Sequence, residues 1–177
     1  MPPTPPRADA ASERPAAPGA PLSAGGPSPA TAQALARATA FFETLSPASL
    51  RDIGALYAPD ARFRDPFNDL RGTEAITAVF AHMFEQLDSP RFVVLEAFGA
   101  GEQAFVVWDF SFSFRRGSPK GVQTIHGSTH FRFDASGRIS LHRDYWDAAE
   151  ELYSKLPLIG PVMRWLQRRL AVKPAGR

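Results

Sequence analysis

Three aspartates stand in apolar surroundings. Asp109 interrupts the run Phe105-Val106-Val107-Trp108-Asp109-Phe110-Ser111-Phe112-Ser113-Phe114. Asp65 lies between Arg64 and Pro66-Phe67, and Asp144 precedes Tyr145-Trp146. A carboxylate taken out of water needs a partner, or its pKa rises until it is neutral. Two or three carboxylates around one apolar cavity do not titrate alike, so one becomes a proton donor and another an acceptor near neutral pH. That pairing suits enolisation, aldol closure or addition of water. His142, two residues before Asp144, is placed to tune the acids or replace one of them. The candidate acid/base residues are therefore Asp65, Asp109, Asp144 and His142, and the question is whether they share a cavity.

The elements that must position them follow from periodicity. Leu35, Ala38, Phe41, Phe42 and Leu45 recur at helical spacing from Thr31 onward. Ser46-Pro47 reads as a helix cap followed by proline at the first turn, and opens a second helix through Tyr57 to Pro59. Asp60 to Phe67 reads as a short strand. Gly72-Thr73 starts a third helix that carries Ile76, Val79, Phe80, Met83, Phe84 and Leu87. Past Pro90 come four strands, near 92–100, 104–115, 122–133 and 138–146, separated by Gly-containing turns. Helices followed by a meander imply an α+β domain with three N-terminal helices and an antiparallel sheet.

Strand parity then groups the side chains. Phe105, Val107, Asp109, Ser111 and Ser113 share one face, taken as the pocket wall. Trp108, Phe110, Phe112 and Phe114 share the other, taken as a dimer surface or one covered by the C-terminal segment. His142, Asp144 and Trp146 fall together on the last strand. His126 and His130 lie roughly 13 Å apart along a strand, too far to chelate one metal ion. The expected wall of the pocket comprises Phe41, Tyr57, Phe63, Phe67, Phe80, Phe84, Val107, Thr129, Phe131 and Trp146. It suits a small hydrophobic molecule.

Composition sets the outer limits. A chain of 177 residues holds one ordinary domain. It has no cysteine, which excludes disulfides and thiol catalysis. No glycine-rich phosphate loop or HExxH motif is present, so no metal and no cofactor is expected. Nine of the 17 prolines fall in residues 1–30, which reads as a disordered arm before a domain at 31–149. Residues 31–151 hold twelve basic and sixteen acidic residues, whereas residues 152–177 hold six basic residues and no acid. The basic balance thus belongs to an amphipathic tail at 150–177, which speaks against nucleic acid as partner. That tail either packs over the domain or lies weakly on an anionic membrane surface. Residues 1–30 lack the apolar core of a signal peptide, so a cytoplasmic location is expected.

Several of these stretches resemble one superfamily. Tyr57-Ala58-Pro59-Asp60-Ala61-Arg62-Phe63-Arg64-Asp65-Pro66, followed by Arg71-Gly72-Thr73-Glu74-Ala75-Ile76, looks like the hallmark of nuclear transport factor 2-like proteins. Gly137-Arg138-Ile139 and Arg143-Asp144-Tyr145-Trp146-Asp147 fit its closing strands. The resemblance spans about 34–149. It implies a cone-shaped α+β fold with a curved antiparallel sheet, a homodimer through the sheet, and the chemistry of SnoaL-like cyclases, ketosteroid isomerases or limonene epoxide hydrolases. Asp65 falls at the isomerase general base, but Phe41 and Thr129 stand where those enzymes keep their oxyanion donors. Loss of both donors argues against that reaction. Asp109 and Asp144 match the hydrolase acid and base, but Val107 replaces the bridging arginine. Two readings stay open: a cofactor-independent isomerase, cyclase or hydrolase, and a non-catalytic ligand-binding or dimerising module.

Overall fold

The computed structural model describes residues 26–117, 119–153 and 160–170. Most of the expected proline-rich arm, residues 1–25, lies outside that range, as do 154–159 and 171–177 of the tail. The folded part begins earlier than residue 31. Pro27 bridges to Gly101, and the Ser28 hydroxyl accepts from the Thr31 amide at 3.1 Å, capping α1 (Pro29–Glu43) with proline in its first turn. This helix buries Ala34, Leu35, Ala38 and Phe42.

The expected second helix is reduced to a 3₁₀ stretch (Pro47–Asp52) and one α turn, α2 (Ile53–Leu56). Pro59 disfavours helical backbone at Ala58, and Tyr57 is already the first residue of β1 (Tyr57–Arg64). A short β2 (Asp69–Arg71), which sequence periodicity did not suggest, pairs with β1. The third helix, α3 (Thr73–Gln86), runs straight into β3 (Leu87–Ala100). The meander continues through β4 (Gln103–Phe114), β5 (Gln123–Phe133) and β6 (Ile139–Tyr145). Among the described residues, α4 (Ala148–Glu151) and α5 (Gly160–Leu170) follow.

The six strands form one sheet in the order β2-β1-β6-β5-β4-β3. It is mixed and not antiparallel throughout, because β1 runs parallel to β6. This pairing brings the early Tyr57 and Phe63 beside the late His142: Phe63 and His142 are direct cross-strand partners. A register shift near Arg132/Phe133 lets both Ile139 and His142 face inward on β6.

The buried face of β4 is the aromatic one. Val106, Trp108, Phe110 and Phe112 are buried in the core with α1, α3 and Phe131. The other face of β4 looks out, so the expected assignment of the two faces is reversed. Pairing explains why: Trp108 lies opposite Gly127, between the inward residues Ile125 and Thr129. Only glycine leaves room there, since a Cβ at position 127 would sit 2.5 Å from Trp108 Cη2.

Candidate functional site

The inner face of β6 carries the site. His142 is 3% exposed and is ringed by aromatics, with Phe63, Phe131 and Phe42 centroids at 4.6, 4.9 and 5.4 Å. Its imidazole is held at both ends. Tyr57 Oη lies 2.6 Å from Nδ1, and Asp144 Oδ1 lies 2.9 Å from Nε2. The same Asp144 oxygen accepts from Thr129 Oγ1 at 2.5 Å, and Thr129 Oγ1 accepts from Trp108 Nε1 at 2.8 Å. One connected chain of polar groups therefore links β1, β4, β5 and β6.

The direction of each proton in this chain can be worked out. An indole N–H only donates, so the Thr129 hydroxyl accepts from Trp108 and passes its own proton to Asp144. Burial pushes the Tyr57 phenol well above its ordinary range, and the negative charge on Asp144 adds to the effect. Tyr57 thus keeps its proton, and its described partner is His142 Nδ1. Donation from Tyr57 leaves Nδ1 bare, which puts the imidazole proton on Nε2, where it donates to Asp144. Asp144 Oδ1 so receives two hydrogen bonds, while Oδ2 has no protein partner among the described residues.

Asp144 stands where three hollows meet. An inner chamber of about 30 Å³ is lined by Thr39, Phe42, Val94, Thr129, His142 and Asp144, with further apolar side chains. A larger cavity of about 270 Å³ opens toward solvent between α3 and the sheet, with Phe63, Phe80, Phe110, Phe112 and Trp146 in its wall and Phe67 at its rim. An open groove on the far side of Asp144 includes Arg64, Arg143 and Trp146. The carboxylate is 16% exposed, sheltered yet reachable.

The structure brings together Asp65, His142, Asp144, Phe63, Phe67, Phe80, Thr129, Phe131 and Trp146 of the expected residues. Asp65 shares the larger cavity with Asp144, but its oxygens are engaged by its own loop. Oδ1 accepts from the amides of Phe67 and Asn68 at 2.7 and 2.6 Å, and the Asn68 side chain bridges both oxygens. That is the turn-forming use of an aspartate. Tyr57 belongs to the site from behind: it is fully buried and supports His142 without lining any of these three hollows.

Four expected residues are not there. Asp109 and Val107 point from the outer face of β4, and Asp109 pairs with exposed His126 at 2.8 Å. The reason is the reversed facing of β4, since parity says which residues share a face and not which face is inside. Phe41 is half-buried against the edge of Phe42, and Phe84 is half-buried on α3; neither lines these hollows. Trp108 and Phe92 were missed, although both line the inner chamber and the larger cavity. The glycine opposite Trp108 was the available signal for the tryptophan. Among the described residues no group of three His, Asp or Glu side chains is arranged to hold a metal ion. No described helix is long and apolar enough to cross a membrane.

The mixed six-stranded sheet packed on helices is the nuclear transport factor 2-like α+β fold of the solved structures that match it. The SnoaL-like domain family matches residues 38–142, more than half of the chain, and the protein belongs to that family. Its fold is similar to that of an epoxide hydrolase of the limonene epoxide hydrolase-like type from Mycobacterium tuberculosis (TM-score 0.60, 19% identity, 78% of this chain and 98% of that one). A structure assigned as a SnoaL-like polyketide cyclase, from Shewanella denitrificans, is equally similar (TM-score 0.60, 18% identity, 72% and 97% covered). A nuclear transport factor 2-like protein of unknown function from Burkholderia pseudomallei is also similar (TM-score 0.58, 21% identity, 68% and 93% covered). At these identities the likeness is one of fold. No curated protein matches the sequence.

Proposed function

We propose that the protein is a cofactor-independent acid/base enzyme, an isomerase, cyclase or hydrolase, acting on a small hydrophobic molecule held in the larger cavity. Asp144 is the reacting carboxylate and His142 its partner. The observation that carries this reading is the Trp108–Thr129–Asp144–His142–Tyr57 chain, whose central carboxylate keeps one oxygen without a protein partner among the described residues, beside an aromatic cavity. Two hydrogen bonds on Oδ1 fix the carboxylate plane. Oδ2 then takes a proton from a substrate carbon or from water, and returns it from the same position. A positioned acid/base of this kind contributes about 10²- to 10⁴-fold in rate. Membership in a family fold that includes a cyclase-like and an epoxide hydrolase-like relative supports the choice of reaction classes.

The second reading is a ligand-binding module. It is favoured by the commitment of Asp65 to its loop, which leaves Asp144 without a second free carboxylate in the cavity. A panel of small epoxides, enones and β-keto esters, followed by chromatography, separates the two readings. Turnover that disappears in Asp144→Asn supports catalysis. Turnover unchanged by that substitution would falsify the role of Asp144, and saturable binding of panel members without any turnover selects the module. The exposed Phe98–Phe105 stack on the outer face, with Phe105 also stacked on His130, supports a homodimer through that face. Light scattering that finds a monomer at micromolar concentration would remove it.

A further inference from the structure

We propose that α5 is a membrane-surface anchor that docks the protein on an anionic lipid bilayer. Val162, Trp165 and Leu166 stand at helical spacing i, i+3 and i+4, so they form one stripe. Their exposures are 52%, 52% and 39%, so the helix does not bury this stripe against its own domain. Packing over the cavity mouth would have covered it. Arg169 lies one turn beyond Trp165 with its guanidinium 5.5 Å from the indole centroid. A cation riding on an indole is a suitable pairing at a bilayer surface, where the ring enters the headgroup boundary and the charge stays among the phosphates.

Charge decides the occupant. From Leu152 to Arg177 the sequence holds six Lys or Arg residues and no acid. Two copies of that segment repel each other, so the same segment of a second copy is a poor cover for the stripe. An anionic bilayer attracts both features at once, the apolar side chains by burial and the cations by its surface potential. The inference does not depend on the acid/base reading, because its test reads lipid binding and not turnover.

The test is co-sedimentation of the full chain with vesicles of phosphatidylcholine alone and of phosphatidylcholine mixed with phosphatidylglycerol. The expected result is capture by the anionic vesicles, weaker capture by the neutral ones, and weakening by salt. Trp165→Glu should reduce capture about tenfold or more, and Arg169→Glu should reduce it on anionic vesicles only. Both positions lie outside the sheet and its core, and circular dichroism checks that the variants keep the parent fold. Three results overturn the proposal: no capture by anionic vesicles, capture indifferent to Trp165→Glu, or a dimer in light scattering that Trp165→Glu converts to monomer.

Discussion

The sheet carries two aspartate–histidine pairs, one on each face. Inside, His142 Nε2 meets Asp144 at 2.9 Å; outside, His126 Nδ1 meets Asp109 at 2.8 Å. By residue type and distance they are nearly the same. They differ in setting. The inner side chains are 4% and 16% exposed, the outer ones 60% and 39%. The inner histidine also has its second nitrogen bonded to a buried tyrosine, and the inner aspartate has a threonine on the same oxygen. The outer pair has neither support. A pair exposed to water is screened and loosely held, whereas a sheltered pair with further hydrogen bonds behind it is fixed in orientation. Chemistry is therefore expected from the inner pair alone.

The largest effect that could break this contrast is on turnover. Once a substrate is found, Asp144→Asn should lower its rate by about 10²- to 10⁴-fold, the usual span for loss of a positioned acid/base. Asp109→Asn should leave the rate within about twofold, since it removes only a screened surface partner. Equal losses in both variants would mean that the outer face takes part in function. Steady-state assays of the two purified variants, side by side, read this directly.

The error over Asp109 shows what the sequence could and could not tell. Alternation along β4 was legible, and so was the grouping of Trp108 with Phe110, Phe112 and Phe114. What alternation lacks is a sign. The sign came from the neighbouring strand, where Gly127 makes space for Trp108 and Thr129 receives its N–H. On β6 alternation put His142 and Asp144 together, and they do face inward beside Phe131 and Thr129 of β5, but it set Ile139 against them, and the register shift turns Ile139 inward as well. The parallel pairing of β1 with β6 was not legible, since no local pattern records which distant strand closes a sheet. Without that pairing Tyr57 could not be recognised as the partner of His142, and it was taken for a wall residue. The order of the main elements, by contrast, followed from periodicity and turns with boundaries off by a few residues.

Packing offers the next test. Gly127→Ala places a methyl 2.5 Å from Trp108 Cη2, so the indole must move and loosen its hold on Thr129. Overpacking of this type costs about 1–3 kcal/mol. Thermal denaturation should show a lower midpoint, and activity should fall with it because Thr129 orients Asp144. The outer pair lies beside the same glycine, since His126 is its neighbour, yet has no part in this loss. A variant as stable and active as the parent would show that the indole contact is not needed to set the inner pair.

The inner pair should also reveal itself at high pH. Burial, with Asp144 adding to it, holds the Tyr57 phenol above its ordinary range. Below about pH 10, the unfolded-state value, both states keep the proton and this part of the stability is fully present. Above it the unfolded chain ionises first, so stability falls as pH rises toward the higher native value. In a spectrophotometric titration one of the three tyrosines should ionise only as the fold is lost, and Tyr57→Phe should remove that component. The same variant leaves His142 Nδ1 buried and unpaired, at a cost of about 1–3 kcal/mol. A Tyr57 that ionises in the native state would mean that the polar chain is open to water.

The smallest effect is the sharpest test of the comparison, because it predicts almost nothing. His126 and Asp109 are both open to solvent, so their attraction is screened and their ordering costs side-chain entropy. A double-mutant cycle of His126→Ala and Asp109→Asn, read by urea denaturation, should give a coupling of about 0.2–1 kcal/mol that shrinks as salt is added. A parallel cycle of His142→Ala and Asp144→Asn should give a larger coupling that salt hardly changes, because both partners are sheltered from ions. If the outer coupling matches the inner one, the outer face must be covered in solution, as the proposed dimer through Phe98 and Phe105 would do. Repeating the outer cycle across a range of protein concentration then distinguishes the cases: coupling that rises with dimer formation belongs to the interface, and coupling that stays constant belongs to the sheet itself.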